Sequence, residues 1–208
     1  MNGGDDIGMR KEALRRVARE RRAGLDAGRG AAVGRLLAER LARWPVYRTA
    51  GRIGIYLAMT GEIDTQPLIL QARADGKRLY LPARPAPGSD YDWVEFGPET
   101  RLERGPLGIP QPVPLVSLAG AALDLAIVPG LAFDRCGGRL GHGKGIYDRL
   151  LVRPAARGAV KIGWAFDFQI WPDIPRTERD IRMDALMTET IDEPAPGVRG
   201  SESKEERR

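Results

Sequence analysis

The chain has 208 residues, of which 42% are hydrophobic and 29% are charged, as in one ordinary soluble domain with a sizeable core. The sequence excludes a membrane-spanning helix, because no apolar run approaches the roughly 20 residues that cross a bilayer, and the single Cys136 excludes an intrachain disulfide. The net charge of +5 favours an anionic partner such as a nucleotide, or else reflects a solvated arginine-rich surface. We therefore expect a cytoplasmic protein that binds no membrane.

The chain begins with two predicted helices. Residues 1–9 are polar and glycine-rich and are predicted to be disordered. A helix is predicted from Met9, because apolar residues recur every three or four positions among arginines. A second helix has an apolar face from Val33 to Leu41 and ends before Pro45.

Strands and short helices alternate along the rest of the chain. The predicted strands are RIGIYLAM (52–59), KRLYLPAR (77–84), YDWVEF (91–96), LDLAIVPG (123–130), AVKIGWAF (159–166) and ALMTET (185–190). This alternation predicts an α/β fold, a three-layer α/β/α sandwich with a largely parallel central sheet and an N-terminal helical pair. Residues 10–190 are predicted to form a single domain. Residues 191–208 have almost nothing apolar to bury and are predicted to be a disordered tail.

A glycine-rich segment, GGRLGHGKGIYDRLL at 137–151, carries the clearest functional signal. Gly138, Gly143 and Lys144 have the spacing of a nucleotide-binding P-loop, but Gly145 stands where that motif needs Ser or Thr to hold magnesium. The glycine spacing does not fit a dinucleotide-binding fingerprint either. Because the segment follows a buried strand and leads into a helix, it lies where open α/β sheets bind ligands.

The residue types within this segment favour a phosphate cradle of another kind. Glycines allow backbone amides to approach an anion, and Arg139 and Lys144 can bind phosphate oxygens. Asp148 can face the same anion through a magnesium ion. The alternative is a glycine-rich turn that only reverses the chain.

The longer stretch VPGLAFDRCGGRLGHGKGIYDRLL closely resembles the signature of the 5-formyltetrahydrofolate cyclo-ligases, also called 5,10-methenyltetrahydrofolate synthetases. The family pattern runs Pro-Gly-Leu-x-Phe-Asp, a variable turn, then Arg-Leu-Gly-x-Gly-x-Gly-Tyr-Tyr-Asp. Four further segments resemble the family in the same order, namely KEALRR, YLAMTGEIDT, GIPQP and DIRMDALMTET. The resemblance covers about residues 10–190.

The resemblance implies an enzyme, an ATP-dependent carbon–nitrogen ligase of one-carbon metabolism with magnesium as its metal. Its reaction would cyclise 5-formyltetrahydrofolate to 5,10-methenyltetrahydrofolate and release ADP and phosphate. Amide resonance makes the formyl oxygen a poor leaving group. Transfer of the γ-phosphoryl group of ATP to that oxygen would let it leave as phosphate when N10 attacks, so catalysis would consist of positioning and charge neutralisation.

The resemblance also implies the site residues. ATP binding is implied for Lys11, Arg15, Arg139, Leu140, Gly141, His142, Gly143, Lys144, Gly145, Ile146 and Tyr147. Binding of the folate substrate is implied for Leu57, Glu62, His142, Gly143, Lys144, Gly145 and Ile146. Catalytic roles are implied for Arg139, Lys144 and Tyr147, and metal binding for Asp148 and Asp184.

Without the resemblance, several of these residues have simpler interpretations. Lys11 and Arg15 would form a solvated basic helix face, Glu62 would pair with a nearby arginine, and Asp184 would be a solvated acid. The sequence also departs from the family pattern, with Ile146 in place of the first of two tyrosines and Leu107 in place of an aromatic before GIPQP. The apolar loop at 107–112 is predicted to cover the folate rings, and His142 to contact phosphate or folate.

The expected partners are 5-formyltetrahydrofolate and ATP, without nucleic acid, and a monomer is expected because no exposed apolar helix stripe is evident. A sugar-phosphate isomerase or a protein similar to CoA-transferases would need a carboxylate base instead of this set of phosphate-binding residues. A nucleic-acid-binding protein would interleave aromatic and basic residues, whereas aromatics make up only 6% of the chain. A homologue that binds folate without turnover is a further alternative.

Overall fold

The computed structural model describes residues 3–86, 88–118 and 121–195. Its helices are α1 (Gly3–Ala23), α2 (Ala27–Leu41), α3 (Pro45–Thr49), α4 (Gln66–Ala74), α5 (Ile146–Leu151) and α6 (Pro154–Arg157). Its strands are β1 (Arg52–Gly54), β2 (Arg78–Ala83), β3 (Asp92–Glu95), β4 (Arg101–Arg104), β5 (Pro110–Val113), β6 (Leu125–Val128), β7 (Ala132–Asp134), β8 (Arg139–Leu140), β9 (Val160–Trp164), β10 (Ile170–Trp171), β11 (Ala185–Met187) and β12 (Asp192–Pro194).

Seven strands form the central sheet in the order β12-β11-β9-β6-β1-β2-β3. The five inner strands from β11 to β2 are parallel, and the two edge strands are antiparallel to their neighbours. Strands β10, β7 and β8 form a separate three-stranded sheet, and β4 pairs with β5. The predicted largely parallel sheet is confirmed.

Alternate residues of the parallel strands face two hydrophobic cores. In β6, Leu125 and Ile127 belong to the core that includes α2 and α4, whereas Ala126 and Val128 belong to the core that includes α5 and α6. Burial on both faces accounts for the continuous apolar run of this strand. Because helices cover both faces of the sheet, the three-layer α/β/α sandwich is confirmed as well.

The N-terminal helix begins earlier than the sequence predicts. It starts at Gly3 rather than at Met9, so residues 3–9 are helical, and residues 1–2 of the predicted disordered stretch lie outside the described residues. Asp6 lies near the start of this helix, where a negative charge interacts favourably with the helix dipole. Polarity alone is therefore a poor guide to where α1 begins.

The C-terminal boundary at residue 190 is also corrected. Residues Asp192–Pro194 form β12 on the edge of the central sheet, and the flanking Ile191 and Ala195 are buried. Backbone pairing with β11 fixes this short stretch although its own side chains are exposed. The remainder of the predicted tail, residues 196–208, lies outside the described residues.

Candidate active site

A cleft of about 520 Å³ opens at the carboxyl ends of the parallel strands. Tyr56 and Leu57, which follow β1, and Pro129, which follows β6, line its floor. The cleft gathers every predicted site residue except Asp184, namely Lys11, Arg15, Leu57, Glu62, Arg139, Leu140, Gly141, His142, Gly143, Lys144, Gly145, Ile146, Tyr147 and Asp148. Ligands of open α/β sheets bind at this edge, so the cleft is the candidate active site.

The glycine-rich loop between β8 and α5 requires glycine for its backbone conformation. Gly143 has a φ of 93° and Gly145 a φ of 61°, both in the left-handed region that other residues disfavour. A Cβ atom on Gly143 would also lie 3.4 Å from Cζ of Arg15, which packs against the loop from α1. Nε of Arg15 donates to the carbonyl of Gly141 at 3.0 Å. The loop therefore brings its backbone close to a cation, as a phosphate cradle requires.

Two carboxylates of the cleft are paired with two cations. Nζ of Lys11 lies 2.6 Å from both carboxylate oxygens of Asp180, and Nη2 of Arg139 donates to Oδ1 of Asp148 at 2.9 Å. Burial would raise the pKa of Asp180, but hydrogen bonds from Lys11 and Thr177 outweigh it and hold that pKa below its ordinary value. Asp180 is therefore charged at neutral pH.

The structure does not bring Asp184, the second predicted metal ligand, into the cleft. Asp184 immediately precedes β11 and therefore lies at the amino ends of the parallel strands. The cleft is at the opposite, carboxyl ends of these strands. Its Oδ2 accepts from the backbone N–H of Lys161 at 2.7 Å. Asp180, four residues earlier in the same segment, lines the cleft instead.

Asp134 holds two segments of the site together. Its buried carboxylate accepts backbone hydrogen bonds through Oδ1 from Cys136 and Gly138, both at 2.8 Å. Through Oδ2 it accepts from the backbone N–H of Ile174 at 2.9 Å. The first two bonds fix the turn that leads to Arg139, and the third fixes the start of the segment that carries Asp180.

Glu62 lies on the turn after β1 and lines both the cleft and an adjoining cavity of about 420 Å³. Its Oε1 lies 3.2 Å from Nη2 of Arg22, and its Oε2 accepts from the backbone N–H of Met59 at 3.0 Å. The two interpretations of Glu62 from sequence therefore coexist, because the residue pairs with an arginine and also faces the cleft.

His142 and Tyr147 are neutral at neutral pH. The pKa of His142 is lowered, because the cleft walls partly desolvate the imidazole and Arg22 lies nearby, although the residue is exposed at the mouth of the cleft. Burial raises the pKa of the Tyr147 phenol, so Tyr147 keeps its proton as a hydrogen-bond donor. Cζ of Arg139 lies 5.6 Å from the centre of the Tyr147 ring.

One wall of the cleft is apolar. Leu81 and Pro82 near the end of β2, Ile109 and Pro110 at the start of β5, and Tyr91 face the cleft there. A flat ring system would pack against such a wall. Ile109 and Pro110 therefore bring part of the 107–112 loop to the cleft, and its contact with the folate rings stays a prediction.

Sequence reasoning missed three polar residues of the site, Asp180, Arg22 and Asp134. Asp180 and Asp184 stand in one short segment, and only the direction of β11 shows which of them reaches the cleft. Arg22 is one of many arginines in α1 and has no local signal. Only Asp134 had a usable signal in the sequence. An aspartate at the start of a turn commonly accepts a hydrogen bond from the backbone N–H two residues later, as Asp134 does from Cys136.

The donor set of the cleft fits magnesium. In the parts of the chain that the structure describes, no group of three or more histidine, cysteine or acidic residues could hold a metal ion by itself. Magnesium commonly uses one or two carboxylates together with phosphate oxygens and water, and Asp148 and Asp180 supply such a pair. Among the same described residues, no helix is long and apolar enough to cross a membrane.

Comparison with known proteins gives consistent matches along most of the chain. The sequence model of the 5-formyltetrahydrofolate cyclo-ligase family matches residues 7–189. The chain is 35% identical over 175 residues to the 5-formyltetrahydrofolate cyclo-ligase of Escherichia coli (strain K12), covering 83% of this chain and 96% of the relative. It is 32% identical over 195 residues to that of Mus musculus, covering 89% of this chain and 95% of the relative.

Two solved structures are similar. The 5,10-methenyltetrahydrofolate synthetase of Aquifex aeolicus has a TM-score of 0.78 and 30% identity, with 95% of this chain and 99% of that chain covered. The Mycoplasma pneumoniae 5,10-methenyltetrahydrofolate synthetase has a TM-score of 0.64 and 19% identity, with 85% of this chain and 96% of that chain covered. At 19% identity, the second likeness concerns the fold alone.

Proposed function

The chain belongs to the 5-formyltetrahydrofolate cyclo-ligase family and converts 5-formyltetrahydrofolate to 5,10-methenyltetrahydrofolate, and we propose that it does so by phosphorylating the formyl oxygen with ATP. The observation that supports this mechanism is the division of the cleft. Contacts of Lys11 with Asp180 and of Arg139 with Asp148 join the polar residues of the cleft. Its apolar residues come mainly from the end of β2 and the start of β5, and the glycine-rich loop lines the same cleft.

The polar wall has the groups that bind a triphosphate. Lys11 and Arg15 reach the cleft from α1. Arg139 reaches it from β8 and Lys144 from the glycine-rich loop. Whereas Lys11 and Arg139 are ion-paired, Lys144 is exposed in the cleft wall. We assign Lys144 to the γ-phosphoryl group during transfer, since a mobile ammonium can follow charge as it develops.

Magnesium belongs to the same wall. Asp148 and Asp180 would hold it, while Arg139 and Lys11 would then bind phosphate oxygens in place of the carboxylates. When bound, magnesium supplies neutralisation of phosphate charge during transfer. We do not assign Asp184 to the metal, because it lies at the other end of the sheet.

The apolar wall and Glu62 are assigned to the folate. A carboxylate can accept a pair of hydrogen bonds from the 2-amino group and ring N–H of a pterin. Leu57 and residues 142–146 would then surround the formyl group, where Tyr147 can donate a hydrogen bond.

The proposed reaction has two steps. The formyl oxygen attacks the γ-phosphorus and ADP leaves, which gives an imidate phosphate on N5. N10 then attacks the former formyl carbon, the C–O bond breaks to release phosphate, and N10 loses its proton to leave the methenyl product. All the assigned groups come from one chain, so we propose a monomer as the active form.

Absorbance at the methenyltetrahydrofolate band tests this proposal. Mixing the protein with 5-formyltetrahydrofolate, ATP and magnesium should produce a rise that requires all three. A rise without ATP would contradict activation by phosphorylation. If ATP and folate bind by calorimetry and no absorbance develops, the protein is a folate-binding homologue without turnover.

A further inference from the structure

The guanidinium of Arg22 holds the turn that carries Glu62. Nε of Arg22 donates to the carbonyl of Gly61 at 2.6 Å, and Nη2 donates to the carbonyl of Thr60 at 3.2 Å. The same Nη2 lies 3.2 Å from Oε1 of Glu62. One side chain near the end of α1 therefore contacts three consecutive residues of the turn.

Both carboxylate oxygens of Glu62 are fixed by this arrangement. Arg22 engages Oε1, while the backbone N–H of Met59 donates to Oε2. The side chains of Arg22 and Glu62 are only 11% and 12% exposed, so water competes little for these contacts. A carboxylate oxygen with one such partner keeps a lone pair that a ligand in the cleft can use.

The backbone of the turn is shaped around the guanidinium. Gly61 has a φ of +78°, and a Cβ atom on it would lie 2.9 Å from Nε of Arg22. Any other residue would be strained there and would displace the arginine. Lysine has one ammonium in place of a planar fork, so it could not reproduce the geometry in which Nε and Nη2 donate to two different carbonyls.

We propose that Arg22 is a positioning residue that orients Glu62 for folate recognition. This inference rests on the proposed function, in which Glu62 binds the pterin. Helix α1 then serves both substrates, because Lys11 and Arg15 lie at the polar wall and Arg22 holds the folate-binding turn. Loss of Arg22 should weaken folate binding through Glu62 and leave the phosphate-binding groups in place.

Steady-state kinetics of Arg22→Gln and Arg22→Lys test the proposal. In Arg22→Gln the KM for 5-formyltetrahydrofolate should rise about ten- to hundredfold, as expected when a charge-assisted contact is lost. The KM for ATP should change less than about twofold, and Arg22→Lys should recover part of the loss. A matched control is Arg19→Gln, one helical turn earlier, which lines the same adjoining cavity but pairs with Glu12.

A double-mutant cycle with Glu62→Gln separates positioning from a general structural effect. If Arg22 acts through Glu62, adding Arg22→Gln to Glu62→Gln should raise the folate KM no further. Additive effects, or equal changes in the KM values for folate and ATP, would overturn the proposal. A defect in Arg19→Gln as large as in Arg22→Gln would overturn it too.

The proposed function is tested separately by turnover of the wild-type protein. If the wild-type protein binds folate but forms no product, calorimetric titration of the same variants with 5-formyltetrahydrofolate gives the same comparison through Kd. A loss of folate affinity in Arg22→Gln that is absent in the Glu62→Gln background would then support the positioning role even though turnover had failed.

Discussion

Lys144 differs from the other cations of the cleft because it is exposed and stands on the most constrained part of the glycine-rich loop. Gly143 and Gly145 on either side have positive φ values, which constrain the backbone from which the Lys144 side chain extends. Lys11 and Arg139, by contrast, are each held by a carboxylate. The residue that is least tied to the protein is therefore the one best able to follow a transferring phosphoryl group.

We expect Lys144→Ala to lower kcat by about 100- to 1,000-fold, the usual loss when one group that stabilises transition-state charge is removed. Because the Lys144 side chain is exposed, the free energy of unfolding of the variant should differ from that of the wild-type protein by less than about 0.5 kcal/mol. Stopped-flow absorbance and thermal unfolding measure the two effects. Lys144→Arg keeps the charge and should retain part of the rate, and a near-wild-type rate in Lys144→Ala would contradict the cradle assignment.

The pair of Lys11 and Asp180 gives a prediction for pH dependence. The pKa of Asp180 is lowered in the folded protein, so the pair stabilises the fold above the ordinary carboxyl pKa near 4 and loses this contribution as the pH falls through the lowered pKa. Lys11→Met removes the hydrogen bond that contributes most to lowering the pKa of Asp180. Burial would then raise this pKa above its value in the wild-type protein. We expect the variant to lose about 1–2 kcal/mol at pH 7, between the values of exposed and buried pairs.

Urea unfolding of the wild-type and Lys11→Met proteins at several pH values measures this effect. The difference between them should shrink as the pH falls from 7 through the lowered pKa of Asp180, because the carboxyl group is then neutral in both proteins. Arg29, which pairs with Glu189 at a more exposed site, offers a control in Arg29→Met. A difference between wild type and Lys11→Met that is independent of pH would show that only packing was lost.

For individual residues of the site, prediction from the sequence succeeded where the residues form a motif with a characteristic spacing. The glycines and Lys144 are close together in sequence, so their chemistry could be read directly. Asp180 was missed in favour of Asp184 because both fit the same local pattern, and only strand direction separates them. The contact between Arg22 and Glu62 joins residues far apart in sequence, and no local pattern encodes it.

Among the elements, the hairpin of β7 and β8 positions the glycine-rich loop. Asp134 at the end of β7 ties its turn to the segment that carries Asp180. The backbone N–H of Met183 adds a second connection by donating to the carbonyl of Gly137 at 2.8 Å. The hairpin and the Asp180 segment are thus one structural unit, although 40 residues separate Asp134 from Ile174.

Asp134→Asn should separate the two halves of this unit. The amide keeps an oxygen for the hairpin, but its NH₂ group cannot accept the hydrogen bond from Ile174. We expect the magnesium concentration for half-maximal activity to rise about tenfold, since Asp180 would lose its fixed position, while the folate KM stays within about twofold.

The control for Asp134→Asn is Asp124→Asn. Oδ2 of Asp124 accepts backbone hydrogen bonds from Gly51 and Arg52, both at 2.8 Å, at the amino ends of the strands. Because one amide oxygen can still accept both hydrogen bonds, this variant should lose little stability and should not change the magnesium requirement. If the two variants shift the magnesium dependence equally, Asp134 has no specific connection with the site.

Secondary structure could be predicted well where burial leaves a clear pattern of apolar residues. Strand β6 was recognisable because both of its faces are buried, and α2 because its apolar residues follow the helical repeat. The ends of the domain were misplaced, since α1 extends to Gly3 and β12 lies beyond residue 190. Both stretches depend on backbone hydrogen bonds more than on apolar side chains, so hydrophobicity does not mark them.

At the scale of the whole molecule, the central sheet, α1 and the segment before β11 meet at the cleft, beside the carboxyl ends of the parallel strands. The cations and carboxylates that meet there come from positions as distant as Lys11 and Asp180, and the folded chain holds them together before any ligand binds. A ligand that engages groups from several segments stabilises the native state only, because the unfolded chain scatters them. Each substrate should therefore raise the Tm.

We expect a non-hydrolysable ATP analogue with magnesium, at 100 times its Kd, to add about 2.7 kcal/mol of stability, which corresponds to about 5–10 °C in Tm for a protein of this size. The folate substrate should give a separate shift, and both together a shift at least as large as the sum, because α1 contributes to both walls. Differential scanning fluorimetry measures these shifts. In Lys144→Ala the nucleotide shift should fall at the same analogue concentration, while in Glu62→Gln only the folate shift should fall. If each variant weakened both shifts equally, the two ligands would share one set of contacts, and the division of the cleft into a phosphate wall and a folate wall would be wrong.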